Sequence, residues 1–469
     1  MSDSEGYFSR HVKVHPRIVA GRFARLRIWA LVATLGVMFG APWLRWGSRP
    51  AIWLDLPHRK FHLFGLVLWP QDLIYLTALL ALAALFLFLV TALAGRVWCG
   101  YACPQTVFTQ IFVWIERLFE GDRAQQLRLE KGGWSVRRAV GFTAKLGFWS
   151  LFAFAVAVSV LGLFVPIREL LPAIVSGRSG PFVYGAIAFV VGAILLFAGR
   201  MREQVCIYMC PYARFQSAMF DRDTLIVSYD EKRGEPRGPL VRGELDARTA
   251  GSCIDCTLCV QVCPTGIDIR NGLQYQCIAC ASCIDACDEV MDRIGAPRGL
   301  VRYTTSEALD GRRPRIGRPR VGIYAALLVI GALALGVSVA RRIPLEIDVL
   351  RDRTVSYREA TGGRIENVYR LRILNMDQSA HRYRLSANGP DGIEVVVRDS
   401  TPEIPAGEIR DVAVRVRIPS SNLTEHSTRI EFRLEALDAP RIVAHEPSRF
   451  LGPSARAGSN GNGADREPA

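Results

Sequence analysis

The stretch Cys253-Ile-Asp-Cys256-Thr-Leu-Cys259-Val-Gln-Val-Cys263-Pro264 decides the fold, and Cys277-Ile-Ala-Cys280-Ala-Ser-Cys283-Ile-Asp-Ala-Cys287 repeats its spacing. Each stretch has the pattern C-x2-C-x2-C-x3-C, which is typical of ferredoxins with two [4Fe-4S] clusters. In such proteins the fourth cysteine of each run binds the other cluster. We therefore predict two crossed ligand sets: Cys253, Cys256, Cys259 and Cys287 for one cluster, and Cys277, Cys280, Cys283 and Cys263 for the second.

Eight cysteines can also bind zinc or form disulfides. Zinc sites use four ligands in other spacings and do not require two matching runs. Disulfides need an oxidising compartment, and all twelve cysteines of the chain fall into metal-like spacings, so that none is left over for a structural disulfide. The spacing therefore favours iron-sulfur clusters.

The composition indicates a membrane protein. Half of the 469 residues are hydrophobic, and they are concentrated in long uncharged runs. Five of these runs have about the length of a membrane span: Ile28–Leu44, Leu73–Ala94, Leu146–Val165, Phe182–Ala198 and Val321–Ala340. The net charge of +14 comes from basic residues beside these runs, and no nucleic-acid motif accompanies it. We therefore expect contact with membrane lipid and no binding of nucleic acid.

The distribution of basic residues predicts the orientation in a bacterial inner membrane. The N-terminal segment and residues 95–141 and 199–320 are rich in Lys and Arg, whereas residues 166–181 contain only Arg168 and Arg178. Because cytoplasmic loops carry the excess of Lys and Arg, we predict that the N-terminus and the cluster domain are cytoplasmic. Five spans then place the C-terminal domain in the periplasm.

A second motif occurs twice, at the ends of two predicted hairpins. Cys99-Gly-Tyr101-Ala-Cys103-Pro104 follows the second span, and Cys206-Ile-Tyr208-Met-Cys210-Pro211 follows the fourth. Cysteines four apart on a helix share a face, so we predict a site of four thiols at the cytoplasmic membrane boundary. We expect the two tyrosines to act as interfacial anchors.

Two interpretations of Cys99, Cys103, Cys206 and Cys210 remain open. A free cysteine often packs as a small apolar side chain. Packing does not, however, require a duplicated set with the same Tyr and Pro, so the repeat favours a metal site. Soft thiolates select Cu(I), zinc or another cluster over hard ions.

The remaining sequence completes the domain organisation. Residues 107–119 have apolar side chains at helical spacing, which predicts a helix along the inner membrane surface or an ordinary amphipathic connector. Alternating residues in Val368–Asn375, Arg382–Ala387, Gly392–Val397, Val412–Ile418 and Thr428–Leu437 predict an all-β sandwich of immunoglobulin type. We expect His381, His426 and His445 to be surface residues of that domain.

The predicted fold class is thus a polytopic α-helical membrane protein with a two-[4Fe-4S] ferredoxin-like domain and a C-terminal immunoglobulin-like domain. The predicted segments are 1–27, N-terminal; 28–198, four membrane helices with the first CxxxCP motif; 199–250, second CxxxCP motif and a linker spanning 221–246; 251–300, ferredoxin domain; 301–320, basic linker; 321–340, fifth span; 341–451, β-sandwich; and 452–469, disordered tail.

The order of these motifs resembles a known family. A hairpin ending WCGYACPQ, a second hairpin followed by CIYMCPYARFQ, the phrase CIACASCIDACDEVMDRIG, a fifth span and a β domain are together similar to the cytochrome c oxidase accessory proteins of the FixG/CcoG/RdxA type. The resemblance implies an inner-membrane iron-sulfur protein that reduces Cu(II) to Cu(I) for the assembly of cbb3-type cytochrome c oxidase. Copper would then be a transient ligand or substrate.

Three functions are compatible with the sequence. The first is a cupric reductase whose clusters supply the electrons, and the second is a non-catalytic copper-binding assembly factor. The third is a quinol-linked electron carrier. The expected partners are oxidase assembly factors or copper-delivery proteins and a cytoplasmic or quinol electron donor, and a homodimer is compatible with the sequence. The catalytic residues are unknown at this level.

The predicted orientation is testable with reporter fusions. Fusions after Val165 and Arg342 are expected to report a periplasmic location, and fusions after Lys131 and Arg248 a cytoplasmic one, because the basic segments stay inside. Alkaline phosphatase and green fluorescent protein fusions give opposite signals for the two sides. A periplasmic signal at Arg248 would contradict the assigned location of the clusters.

Overall fold

The computed structural model describes residues 13–133, 135–239, 251–352 and 356–453. Two compact units, Met1–Leu335 and Gly336–Ala469, divide the chain. The unit boundary lies within the fifth apolar helix, a few residues before the predicted domain boundary at residue 341. Residues 454–469, which form most of the predicted disordered tail, lie outside the described residues.

The first unit is mainly helical. In chain order the α-helices of the described residues are α1 (Arg22–Gly40), α2 (Leu73–Ala94), α3 (Val97–Tyr101), α4 (Pro104–Glu120), α5 (Arg123–Lys131), α6 (Val136–Leu161), α7 (Ile167–Val175), α8 (Pro181–Ile194), α9 (Pro211–Met219), α10 (Glu231–Gly234), α11 (Leu258–Gln261), α12 (Ser282–Arg293), α13 (Ser306–Leu309) and α14 (Pro319–Ala340). Two π-helical stretches, Leu195–Met201 and Val205–Met209, follow α8.

Five helical segments are long and apolar enough to cross a membrane. They are Arg22–Trp43, Pro70–Ala94, Val136–Leu161, Pro181–Met201 and Pro319–Ala340. The first begins six residues before its predicted start, and the third begins ten residues before. The early turns contain basic residues such as Arg25 and Arg138, which hydropathy assigns to loops. Long basic side chains are tolerated there because they reach from a helix end to the polar interface.

Two backbone hydrogen bonds tie connecting segments to the ends of apolar helices. The Leu225 amide donates to the carbonyl of Leu93 at the end of α2, 3.1 Å away. The Leu54 amide donates to the carbonyl of Leu163, just after α6, at 2.7 Å. The intervening loop forms strands that the sequence analysis did not predict: β1 (Arg45–Trp46), β2 (Arg49–Pro50), β3 (Ile52–Asp55), β4 (Lys60–Leu63) and β5 (Leu66–Leu68).

Helix α4 packs against the third and fourth spans. Its Phe112 ring is fully buried and stacks on Trp149 of α6, with ring centroids 4.7 Å apart. Glu116 is buried on the same face, where its carboxylate bonds Arg202 at 2.6 Å and Lys13 at 2.7 Å. Burial opposes ionisation of Glu116, but the two cations lower its pKa to about 2. Residues 107–119 are therefore a packed helix with a buried ion-pair network.

Part of the predicted linker 221–246 forms regular secondary structure. Strand β6 (Ile226–Tyr229) is buried along its whole length and pairs antiparallel with β7 (Val301–Thr304), which also opens the predicted basic linker 301–320. Helix α10 follows β6 directly. Strand β6 was not predicted, because a four-residue strand whose partner lies more than seventy residues away leaves almost no local pattern. Residues 240–246 of that segment lie outside the described residues.

The second unit is a sandwich of two antiparallel sheets. One sheet has the order β12-β14-β10-β8 with β9 paired to β10, and the other has the order β13-β11-β15-β16. The strands are β8 (Leu345–Arg351), β9 (Arg358–Ala360), β10 (Arg364–Asn375), β11 (His381–Asn388), β12 (Glu394–Val397), β13 (Glu403–Ile404), β14 (Ile409–Pro419), β15 (Ser427–Ala436) and β16 (Val443–Leu451). The buried rings of Tyr369 and Phe432 meet edge to face between the sheets, 5.1 Å apart.

His381 is not a surface residue, which corrects the prediction. It is 6% exposed, and its ring nitrogens lie 2.7 Å from the carboxylates of Asp377 and Asp438. Burial lowers the pKa of His381, but the two carboxylates outweigh this effect and raise it above the ordinary 6.5. His426 and His445 are exposed, as predicted.

We expect His381 to make the stability of the β unit depend on pH. A raised folded-state pKa gives a stabilisation that is complete below the unfolded-state pKa and is lost as pH rises through the folded-state value. His381→Gln is therefore expected to lower the free energy of unfolding by about 1–2 kcal/mol at pH 5.5 and by less at pH 9. Hydrogen-exchange protection of β10, β11 and β15 in the full-length protein measures this difference.

His445→Gln, at an exposed position, is the control. An equal loss of protection at both pH values in the His381 variant would contradict the role of the charged ring.

Candidate metal centres

The two ferredoxin-type loops each surround a cavity. Cys253, Cys256, Cys259 and Cys287 line one, and Cys263, Cys277, Cys280 and Cys283 line the other, which Cys259 also reaches. The first two cysteines of each run come from a loop, whereas Cys259 lies in α11 and Cys283 and Cys287 lie in α12. This is the crossed grouping that the spacing predicts.

Both loops have the same unusual backbone. Asp255 and Thr257 in the first loop, and Ala279 and Ala281 in the second, have positive φ angles between 51° and 59°. These residues occupy equivalent positions, two and four residues after the first cysteine. A non-glycine residue held in this region costs of the order of 1–3 kcal/mol, and such strain is kept where the site requires it. Alternating left-handed residues turn backbone N–H groups inward, as in other anionic cluster sites.

Seven of the eight cysteines are partly or fully buried, Cys256 is exposed, and the set fits a metal cluster. Burial raises the pKa of Cys277 and of Cys287 to about 12, and raises that of Cys259 to about 11. Thiolates are the metal-binding form, so these side chains ionise when a cluster compensates their charge. The donor set of eight cysteines in an apolar shell therefore fits two [4Fe-4S] clusters.

The two CxxxCP motifs have one geometry, which differs from the predicted continuous helix. Cys103 and Cys210 are extended residues that immediately precede a new helix, and Pro104 and Pro211 are the first residues of α4 and α9. Proline suits this first position because its missing N–H needs no partner there, and it forces the preceding residue to be extended. The two cysteines of each motif therefore lie on opposite sides of a helix break.

The four thiols of these motifs are neighbours. Cys99 and Cys206 each experience the charge of Cys103 and Cys210. Burial raises the pKa of Cys99 to about 11 and that of Cys206 to about 12. In the described ranges no three His, Cys, Asp or Glu side chains converge tightly enough to hold one metal ion. The same holds for the eight ferredoxin-type cysteines, so this finding does not separate the two kinds of site.

The second ferredoxin loop lies directly on the first CxxxCP motif. A Cβ atom added to Gly100 would lie 2.8 Å from the carbonyl oxygen of Ile278 and 2.9 Å from the Cα atom of Cys280. Any side chain at this position would push the loop away. The glycine thus brings the backbone beside Cys99 into contact with the backbone beside Cys280.

Polar contacts fix this arrangement. Arg96, which is 4% exposed, donates to the carbonyls of Tyr275 and Cys277 and to the side chain of Gln216. Gln216 in turn accepts from the Cys99 thiol at 3.4 Å. A single guanidinium therefore links the second loop to both membrane motifs.

The first span is also tied to the cluster domain. The carboxylate of Asp285 in α12 accepts from the amides of Phe23 and Ala24 at the start of α1. Arg27 donates to the carbonyl of Cys280. Tyr101 is half-buried against Tyr303, so it is not an interfacial anchor, whereas Tyr208 is exposed as expected.

The sequence analysis missed Gly100, Arg96 and Asp285. One signal was available, because the two CxxxCP motifs differ at their second position, where the first has Gly100 and the second has Ile207. This asymmetry marks the motif that contacts the loop. Arg96 also carried a signal, because it is the one charged residue between Asp72 and Glu116. Asp285 lies in a stretch with many charged residues, and nothing in the sequence distinguishes it from solvated ones.

Three family models match the chain. Residues 201–306 match a 4Fe-4S dicluster domain, residues 76–120 match a 4Fe-4S binding domain, and residues 335–453 match the IG-like fold at the C-terminus of FixG. The prediction of an immunoglobulin-like domain is thereby confirmed. Fold and site together define a membrane iron-sulfur protein with five apolar helices, 4Fe-4S binding domains and an immunoglobulin-like domain.

Similar proteins cover almost the whole chain. Protein RdxB of Cereibacter sphaeroides is 39% identical over 464 residues, which are 95% of this chain and 97% of RdxB. Protein RdxA of the same organism is 38% identical over 85% of this chain and 87% of its own length. Nitrogen fixation protein FixG of Rhizobium meliloti is 36% identical over 81% of this chain and 80% of its own length. The chain belongs to the FixG/RdxA family.

We expect Gly100→Val to remove the second cluster and spare the first. The wild-type protein should contain about eight iron atoms per chain, and the variant about four, because the added side chain collides with the loop of Cys277 and Cys280 and not with that of Cys256. Iron and acid-labile sulfide analysis of anaerobically purified protein gives the count. Gly147→Val is the matched control, since a Cβ atom there meets nothing within 4 Å. Full iron content in the Gly100 variant would contradict the close contact.

Proposed function

We propose that this protein is a cupric reductase of the bacterial inner membrane that supplies Cu(I) for the assembly of cbb3-type cytochrome c oxidase. The observation that supports it is the contact between the Gly100 backbone and the loop of Cys280, which brings a predicted cluster site beside a site of four soft thiols. The proposed orientation places the cluster domain in the cytoplasm and the β unit in the periplasm.

The residues of the chain have distinct roles in this proposal. The eight ferredoxin-type cysteines hold two [4Fe-4S] clusters, which when bound supply one-electron transfer. Cys99, Cys103, Cys206 and Cys210 bind copper as the substrate, and one electron converts each Cu(II) to Cu(I). Thiolates stabilise the reduced ion because they are soft ligands. Arg96 positions the second loop against Cys99 and lies close enough to lower the energy of the thiolate charge.

The immunoglobulin-like unit serves partner binding in this proposal. It contains no cysteine, and its buried side chains are core residues of the sandwich. Oxidase assembly factors or copper-delivery proteins are the proposed partners of this unit.

A different role for the four membrane-boundary thiols is supported by one comparison. The stretch that matches a 4Fe-4S binding domain, residues 76–120, contains Cys99 and Cys103 but none of the eight ferredoxin-type cysteines. The thiols would then hold a third cluster. This candidate predicts about twelve iron atoms per chain instead of about eight, and loss of about four in Cys206→Ser.

Cysteine variants test copper reduction. In chemically reduced, detergent-solubilised protein, Cys256→Ser and Cys280→Ser are each expected to abolish reduction of Cu(II), because each removes a cluster ligand. Cys99→Ser and Cys206→Ser are expected to keep both clusters and to bind copper at least about tenfold more weakly, since serine is a poor ligand for Cu(I). Anaerobic formation of a Cu(I)–chelator complex measures reduction, and visible absorption and EPR measure cluster content.

Met209→Ser is the matched control, because Met209 adjoins Cys210 but is half-exposed. If the cluster-ligand variants reduced Cu(II) as fast as the wild type while Cys99→Ser and Cys206→Ser lost oxidase assembly, the protein would be a copper-binding assembly factor and not a reductase.

A further inference from the structure

A cavity of about 150 Å³ lies where the first span, helix α4 and the second ferredoxin loop meet. Ile28 and Leu31 of α1 and Val113 and Trp114 of α4 form part of its apolar wall. Cys280 and Cys206 also line it. The cavity therefore touches a predicted cluster ligand and a CxxxCP thiol at once. We propose that it binds the head ring of a membrane quinol, which donates electrons to the protein.

The size and lining of the cavity fit a quinol ring. A cavity of about 150 Å³ accommodates one six-membered aromatic ring. Ligand sites for such rings are mostly apolar, with a few polar groups that fix orientation. The wall includes an apolar side of the first membrane span, so a hydrophobic tail attached to the ring can remain in the lipid.

One polar group in the wall has an unused donor. Arg202 is 4% exposed, and its Nη2 and Nε atoms bond Glu116 and the carbonyl of Gly199. Its Nη1 atom is buried and has no hydrogen-bond partner. An unpaired buried donor is costly, and a native site that keeps one calls for an explanation. Because Arg202 also lines the cavity, an oxygen of a quinone ring bound beside it is the proposed acceptor.

The proposed step is the two-electron oxidation of one quinol to one quinone. It releases two electrons, one at a time, and two protons. The eight ferredoxin-type cysteines would hold two oxidised [4Fe-4S] clusters, which when bound would supply two one-electron acceptors; in the proposed function the same two electrons would convert two Cu(II) to two Cu(I). Glu203, whose side chain lines the cavity, is the carboxylate placed to accept the first proton, and the second passes to water.

This inference deepens the proposed function by naming its electron donor, but its test needs no copper. A short-chain azidoquinone is bound to the full-length protein in detergent, photolysed, and its attachment sites are mapped by mass spectrometry, while quenching of tryptophan fluorescence gives the affinity. Labels are expected on α1 and α4 at the cavity. Val113→Trp fills the space and should weaken binding by about tenfold or more.

Two further variants keep the result interpretable. Leu118→Trp is the matched control, because Leu118 lies on the exposed side of α4 and does not line the cavity. It should bind the quinone as the wild type does. Gln110→Leu, which removes a polar lining side chain with little change in volume, should weaken binding severalfold and leave the iron content unchanged.

Equal affinity in Val113→Trp and wild type, or labels away from the cavity, would overturn the proposal. Displacement of the probe by phosphatidylglycerol, but not by a non-azido quinone, would assign the cavity to a lipid headgroup and would also overturn it. Failure of copper reduction with normal quinone binding would contradict the proposed function alone.

Discussion

The close approach of two backbones at Gly100 is the constraint on which the rest of the first unit depends. A short distance between the first CxxxCP motif and the second ferredoxin loop requires that no bulky side chain separate them. Glycine allows one main chain to contact another directly, because it has no Cβ atom. Arg96 then secures the contact, because its guanidinium reaches two carbonyls of the second loop and Gln216 between the membrane motifs. The cluster domain is thus packed onto the helix ends as part of one unit.

The duplicated CxxxCP motif shows how a repeat acquires two roles. In both copies a proline begins a new helix and holds the preceding cysteine in an extended conformation. The copies differ in the turn before it, which is α-helical around Cys99 and π-helical around Cys206. The first copy has a glycine at the second position, Gly100, whose backbone contacts the cluster loop, whereas the second copy has Ile207 there. The duplicated motif thus supplies four thiols, and Gly100, which differs between the copies, brings them next to the second ferredoxin loop.

Much of this architecture follows from periodic or regularly spaced residues. Cysteine spacing predicted which thiols share a cavity, long apolar runs predicted the five helices, and alternating residues predicted the main strands of the sandwich. The missed features depend on distant partners. Strand β6 forms by pairing with β7, and His381 is held by carboxylates on neighbouring loops. Asp285 accepts a hydrogen bond from an amide at the start of α1. None of these has a local pattern, because each arises only when separate stretches meet.

The bond from Asp285 to the amides of Phe23 and Ala24 joins residues more than 260 positions apart and has a consequence for biogenesis. The first span leaves the ribosome long before α12 exists, so it enters the bilayer with its N-terminal amides satisfied by water or headgroups. These two amides gain their carboxylate partner only when α12 has been made and has folded against the start of α1. Docking of the N-terminal end of the first span is therefore a late step, which waits for the region that matches the 4Fe-4S dicluster domain.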